Sequence, residues 1–236
     1  MIPSLAKKLS KFFGGASPGD YEEYWTTARG SYSERFIEDV VRQFEFNTVL
    51  DAGCGDGTVV RRLLGYGKDA CGVDISATAL KQRCGDLFEM RRVTQSPLTK
   101  LPFADDTFDL VFSSEVMEHL APSDVPTAIK EMVRVCRKTL FLTISLRPSS
   151  ENNKFHLTLR PRAWWNARFL DAGVFVRDDL ISLFQQRLPN ASNSEVLKRG
   201  PTKAILHEIG WFINSPPYDL QGELEPWFFV FSKGKH

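Results

Sequence analysis

Apolar residues along this chain keep two rhythms. Short apolar runs, bounded by acids, glycines or prolines, alternate with stretches in which apolar residues return every three or four positions. The run at Thr48–Leu50 stops at Asp51, and Val59, Val60, Leu63 and Leu64 then follow at helical spacing. A strand, a tight turn and a helix are predicted. Ala70–Ser76 reads as a short buried strand ending in the acid Asp74, a third strand follows near Val93, and Phe108–Ser114 reads as a fourth. A helix over Ser123–Val135 buries Val125, Ile129, Met132 and Val133, and Thr139–Ser145 is the fifth strand. A helix ending at Asp171-Ala172-Gly173, a strand at Val174–Arg177 and a last strand at Trp227–Phe231 complete the order. Strands that alternate with helices imply an α/β fold, doubly wound around a mostly parallel sheet.

Two segments flank this frame. Ile2, Leu5, Leu9 and Phe12 oppose Lys7, Lys8 and Lys11 in a predicted amphipathic helix over residues 1–13, broken by Gly14-Gly15. Such a helix either lies on an anionic membrane surface or packs on its own domain. Tyr21, Tyr24 and Trp25 precede a helix carrying Phe36, Ile37, Val40, Val41 and Phe44. Residues 1–45 therefore read as a helical cap and 46–236 as the main domain. Within the latter, residues 178–226 are longer than a hairpin needs, with a helix near Asp178–Arg187 and the stretch Ser215-Pro216-Pro217. An insertion of this kind on a rigid scaffold commonly sets the substrate.

The chemistry concentrates at Asp51-Ala52-Gly53-Cys54-Gly55-Asp56-Gly57. Glycines at every second position let the backbone approach a ligand that a Cβ would exclude. The spacing is G-x-G-x-G. A dinucleotide fold wants G-x-G-x-x-G, and Thr58 stands where its third glycine would be; no lysine follows to make a phosphate loop. Asp74 lies 21 residues after Gly53, at a strand end where a carboxylate accepts ribose hydroxyls. A helix cap is the competing role there, with Ser76 as the alternative cap.

This glycine segment resembles the S-adenosylmethionine (SAM) loop of class I methyltransferases. The block from Leu101-Pro102-Phe103 through Ser113-Ser114-Glu115-Val116-Met117-Glu118-His119 resembles the fourth-strand region of the methyltransferase-11 type. The resemblance covers roughly residues 20–145. It implies a Rossmann-like seven-stranded sheet whose last strand is antiparallel, with an N-terminal helical lid and a C-terminal insertion. It assigns Asp51, Gly53, Cys54 and Gly55 to the cofactor, with Asp74 on the ribose and Ile75 on the adenine face. Ser113 and its followers would face cofactor and acceptor, and Trp25 would belong to the lid. One departure concerns adenine. Family members carry an acid shortly before Leu-Pro-Phe, where this chain has Val93-Thr94-Gln95-Ser96-Pro97. Gln95 replaces it as acceptor for the adenine amine through its carbonyl, with Ser96 beside it.

Bulk properties narrow the partners. A net charge of +1 leaves no electrostatic footprint for nucleic acid. The four cysteines Cys54, Cys71, Cys84 and Cys136 have no metal spacing, which fits reduced thiols in the cytoplasm. No apolar run reaches membrane-spanning length.

SAM carries an activated methyl, so the protein's main task is to align an acceptor; S-adenosylhomocysteine is the product. A hydroxyl acceptor gains from a base, and His156 and His119 both fall in loops on the crevice side. Glu115 and Glu118 either orient them or cap a helix. No Asn/Asp-Pro-Pro-Tyr follows strand four, which argues against DNA and glutamine amino-methylation. The expectation is methyl transfer to a small-molecule or sugar-like (glycan) acceptor at oxygen. Transfer to nitrogen or carbon, a non-catalytic SAM-binding partner subunit and an NAD-dependent oxidoreductase are the rivals. Trp164 and Trp165 either stack on an acceptor ring or pack.

Overall fold

A computed structural model describes residues 18–27, 37–146, 155–180 and 228–234. The basic helix over 1–13 and nearly all of the 178–226 insertion lie outside the described residues.

The elements are α1 (Pro18–Thr27), α2 (Ile37–Gln43), β1 (Thr48–Ala52), α3 (Thr58–Gly65), β2 (Asp69–Asp74), α4 (Gly85–Glu89) and β3 (Val93–Gln95). Then come β4 (Phe108–Ser114), α5 (Val125–Val135), β5 (Cys136–Thr143), α6 (Arg162–Asp171), β6 (Phe175–Val176) and β7 (Phe228–Ser232). A short π-helical turn, Ala79–Arg83, precedes α4. The strands form one sheet in the order β3-β2-β1-β4-β5-β7-β6. The first five are parallel, and β7 runs antiparallel between β5 and β6.

Strand residues alternate between two cores. Leu50, Val111, Leu140, Leu142, Phe229 and Phe231 face one way, toward Ile129 and Met132 of α5 and Trp165 and Phe169 of α6. Val49, Leu110, Phe112, Phe141, Phe228 and Val230 face the other, toward Val40 of α2 and Val59, Val60 and Leu63 of α3. Both faces are covered, which is why the central strands read as unbroken apolar runs. Trp165 is fully buried, and Trp164 holds the Arg168 guanidinium 3.4 Å from its ring centre, so both tryptophans serve packing.

Strand boundaries differ from expectation at β5. It begins at Cys136 rather than Thr139, because the charged Arg137 and Lys138 sit at the strand's entrance and both pair with Asp109, at 3.1 and 3.2 Å. It ends at Thr143 rather than Ser145, because the Ser145 N–H donates to the Glu118 carboxyl instead of a ladder partner. The sixth strand contracts to Phe175–Val176.

The chain winds outward from β1 through β2 to β3, then returns to β4 on the other side of β1. This reversal opens a crevice at the carboxyl ends of β1 and β4, where α/β sheets bind ligands.

Candidate functional site

The glycine turn occupies that crevice. Gly53, Gly55 and Gly57 all have positive φ, at 92°, 50° and 72°. The turn is tied to β2: the Gly53 and Cys54 N–H groups both donate to the Val73 carbonyl, at 2.8 and 2.9 Å. Asp74, at the end of β2, accepts from the N–H of Gly55 at 2.9 Å and of Ser76 at 2.8 Å. One carboxylate thus braces the loop against the neighbouring strand while it sits at the crevice mouth. Burial pushes the Asp74 pKa up, opposed by those hydrogen bonds. Burial also pushes up Asp51, helped by the nearby charges of Asp74 and Asp56. An acidic crevice of this kind favours a cationic ligand.

Helix α1 lies across the turn. A Cβ on Gly55 would stand 2.5 Å from the Trp25 ring, and one on Gly53 would meet Cγ1 of Val116 at 2.8 Å, so only glycine fits either position. Glu22 fastens α1 to the chain after β2. Its carboxylate accepts from the Ser76 hydroxyl at 2.9 Å and from the N–H groups of Ala77 and Thr78 at 2.9 and 2.8 Å. The Thr78 side chain and these neighbours hold the Glu22 pKa down at about 2. Ser76 Oγ in turn accepts the Ala79 N–H at 3.0 Å, so Ser76 caps the following turn. At the far end of α1, Arg83 reaches the Trp25 carbonyl at 3.3 Å.

The other flank of the crevice is aromatic and acidic. Tyr21 donates to the His119 carbonyl at 3.3 Å and packs edge-on against Phe155. Burial and the nearby Glu118 and Asp74 carboxyls keep its phenol protonated. The rings of His119 and His156 meet edge-on with centroids 4.9 Å apart. His119 Nδ1 lies 3.0 Å from the Phe155 carbonyl; since a carbonyl only accepts, Nδ1 carries the proton and Nε2 the lone pair. Burial and His156 lower the His119 pKa to about 3, so the ring is neutral. Glu118 is fully buried; burial and the adjacent Glu115 push its pKa well up. Glu115, the first residue after β4, has φ at +57°, a strained value for a non-glycine residue of the sort that gathers at functional sites.

The expected site residues thus divide. Gly53, Gly55, Asp51, Asp74 and Trp25 converge on the crevice, and Ile75 stands half exposed beside Asp74. Gln95 donates through Nε2 to the Ile75 carbonyl at 3.0 Å, which leaves its own carbonyl available. Three side chains turn away. Cys54 packs against Gly72, where a Cβ would meet its sulfur at 2.7 Å. The Ser113 hydroxyl donates to the Ala52 carbonyl at 2.7 Å, which ties β4 to β1. The Ser96 hydroxyl closes a turn on the Lys100 carbonyl, also at 2.7 Å. Within Ser113–His119, Met117 and Glu118 are buried as well. His119 and His156 come together, a pairing that their separation of 37 positions does not announce. The Glu22 clamp escaped the sequence reading altogether, because nothing local links residue 22 to residue 76.

Comparison with known proteins fits this geometry. The methyltransferase domain family matches residues 50–143. A ubiquinone biosynthesis O-methyltransferase of Nitrosomonas europaea is 27% identical over 123 residues, 49% of this chain and 51% of its own length. A norajmaline N-methyltransferase of Rauvolfia serpentina is 33% identical over 118 residues, 45% of this chain and 40% of its own. The chain spans about half the length of the curated relatives it matches. Among solved structures, a complex of the Haloferax volcanii Trm112 methyltransferase activator with a methyltransferase aligns with a TM-score of 0.64 at 18% identity, over 92% of this chain and 98% of the other. From within β1 to the end of β5, the chain matches the methyltransferase domain family, and its seven-stranded sheet has the Rossmann-like architecture of the methyltransferase structures it resembles.

Proposed function

We propose that this protein binds SAM in the crevice between β1 and β4 and transfers its methyl group to a hydroxyl of a small-molecule, phenolic or sugar-like acceptor. The observation that carries the reading is the bracing of the glycine turn by Asp74. It puts a buried carboxylate beside a glycine-rich backbone turn, which suits a ribose next to a sulfonium-bearing chain. In this reading Ile75 covers adenine, the Gln95 carbonyl accepts from its amine, and α1 with Trp25 closes over the cofactor. Asp51 and Asp74 favour the sulfonium charge.

The acceptor lies against Tyr21, Phe155, His119 and His156. Alignment of the acceptor with the S–CH3 bond supplies most of the rate, on the order of 7–11 kcal/mol of barrier. The hydroxyl proton leaves toward His156, with His119 positioning that ring through their edge contact. Base catalysis of this kind contributes about 10²–10⁴-fold.

Calorimetry with SAM and S-adenosylhomocysteine tests the cofactor half of the proposal. Micromolar binding that vanishes in a folded Asp74→Ala variant is expected; no binding of either ligand to folded wild type refutes it. A screen of hydroxylated sugars and phenols tests the acceptor half. His156→Ala should cut kcat by about 10²–10⁴-fold, and an amine acceptor with unchanged kcat in that variant would overturn the hydroxyl assignment.

A further inference from the structure

Glu118, His119 and His156 each direct a metal-ligating atom to one place: all three atoms lie within 4.8 Å of one another. The geometry points to a divalent transition-metal site formed by these three residues at the acceptor side of the crevice. Two hard-to-explain features of the fold become ordinary if a cation binds there. The first is Glu118. Its side chain is fully buried, and one oxygen accepts the Ser145 N–H at 3.1 Å. The other oxygen is buried and receives no hydrogen bond from an N–H or hydroxyl group among the described residues; its side-chain neighbour is a second acid, Glu115, so ionising both leaves that oxygen without a donor. A buried carboxylate oxygen without a donor is costly, and a cation would satisfy it. The second is the support around the histidines. The Phe155 carbonyl holds Nδ1–H of His119 and so leaves the Nε2 lone pair free, the usual outer support of a histidine ligand.

The backbone that carries His156 is pinned to the backbone that carries the other two. The Thr158 N–H donates to the Glu118 carbonyl at 2.9 Å, and the Thr158 hydroxyl to the Leu120 carbonyl at 2.7 Å. Bonds of about 2.0–2.2 Å to a tetrahedral ion place ligand atoms about 3.4 Å apart. Binding would draw the three ligand atoms from their present spacing of up to 4.8 Å to that distance. Two imidazoles with one carboxylate suit zinc, iron(II), cobalt(II) or manganese(II), and disfavour calcium and magnesium, which prefer oxygen alone. Three protein ligands leave a position for an acceptor oxygen. If the proposed hydroxyl transfer holds, a metal-bound hydroxyl would lose its proton to solvent more readily, and His156 would act as ligand rather than base; metal binding itself does not depend on that reading.

The test uses the full chain, stripped with chelator and then titrated with Co2+ by visible absorption and with Zn2+ and Mg2+ by calorimetry. One Co2+ per chain with d–d bands, competed by Zn2+ and not by Mg2+, is expected. His156→Gln should weaken Co2+ and Zn2+ binding at least tenfold, with unchanged circular dichroism. Glu118→Gln is the second variant and should do the same. Absence of saturable Co2+ or Zn2+ binding in wild type, or equal affinity in both variants, overturns the assignment. SAM calorimetry on the same samples separates the two readings: SAM binding without metal binding sinks only the metal site, and the converse sinks only the methyltransferase proposal.

Discussion

The Glu22 clamp gives α1 a pH-dependent hold on the crevice. The carboxylate falls from its usual 4.5 to about 2 when docked. Taken at face value, that difference is about 3 kcal/mol in favour of the docked, ionised state. Glu22 is partly open to water, so screening and hydration bring the figure to about 1–2 kcal/mol, in line with hydrogen bonds to a charged acceptor. The pKa is depressed, so the hold is complete above about pH 4.5 and is lost as pH falls toward 2. Glu22→Gln removes the charge at every pH. An opening equilibrium for α1 about 5–30-fold larger is expected. Hydrogen exchange read by mass spectrometry, corrected for intrinsic rates, measures it directly. Peptides over 18–27 should lose protection in the variant at pH 7, while peptides over β1 and β4 keep theirs. Wild type should approach the variant as the pH drops below 4.5. Equal protection of 18–27 in both proteins at pH 7, or simultaneous loss across β1, would refute the clamp.

Other substitutions separate ligand contacts from scaffolding. Gly55→Ala forces a Cβ into the Trp25 ring at a positive φ, a strain of about 1–2 kcal/mol, and should weaken SAM at least tenfold by calorimetry. Ser113→Ala leaves the Ala52 carbonyl without its donor and should cost about 1–2 kcal/mol in urea unfolding; SAM affinity should not change, and a large loss would return Ser113 to the cofactor. Ser76→Ala removes both a cap and a donor to Glu22, so a stability loss of about 1–2 kcal/mol is expected, together with α1 exposure in hydrogen exchange. Trp165→Ala should cost about 3–5 kcal/mol, read as a lower Tm, and a shift of only a degree or two would contradict its place in the core.

Much of the frame was legible because local patterns decide it. Apolar runs with glycine and acid boundaries give β1 to β4, and the 3.6-residue rhythm of Val125, Ile129 and Met132 gives α5. The cofactor loop was equally legible, since closely spaced glycines ending a strand have few other uses. What escaped was direction and distance. The family resemblance places Ser113, Ser96 and Cys54 near the crevice, yet each spends its polar or thiol group on neighbouring backbone or packing. Arg137 and Lys138 looked like a boundary because the partner that tolerates them, Asp109, belongs to another strand. The meeting of His156 with His119 depends on Thr158 anchoring one loop to another, and no local rhythm encodes that contact.

The placement of β7 bears on how the chain is made. It fills the gap between β5 and β6, and all five of its residues are buried. Until Phe228 is synthesised, β5 ends the parallel sheet with an open edge carrying Leu140, Phe141 and Leu142. About 85 positions separate Thr143 from Phe228, so at 5–20 residues per second a nascent chain carries that edge for about 4–17 s. A bare apolar edge is a template for pairing with other chains. Slow ribosomes, rare codons in this interval or a stalled message would lengthen the exposure, and the yield of soluble protein should track translation speed there more closely than it tracks the stability of the finished fold.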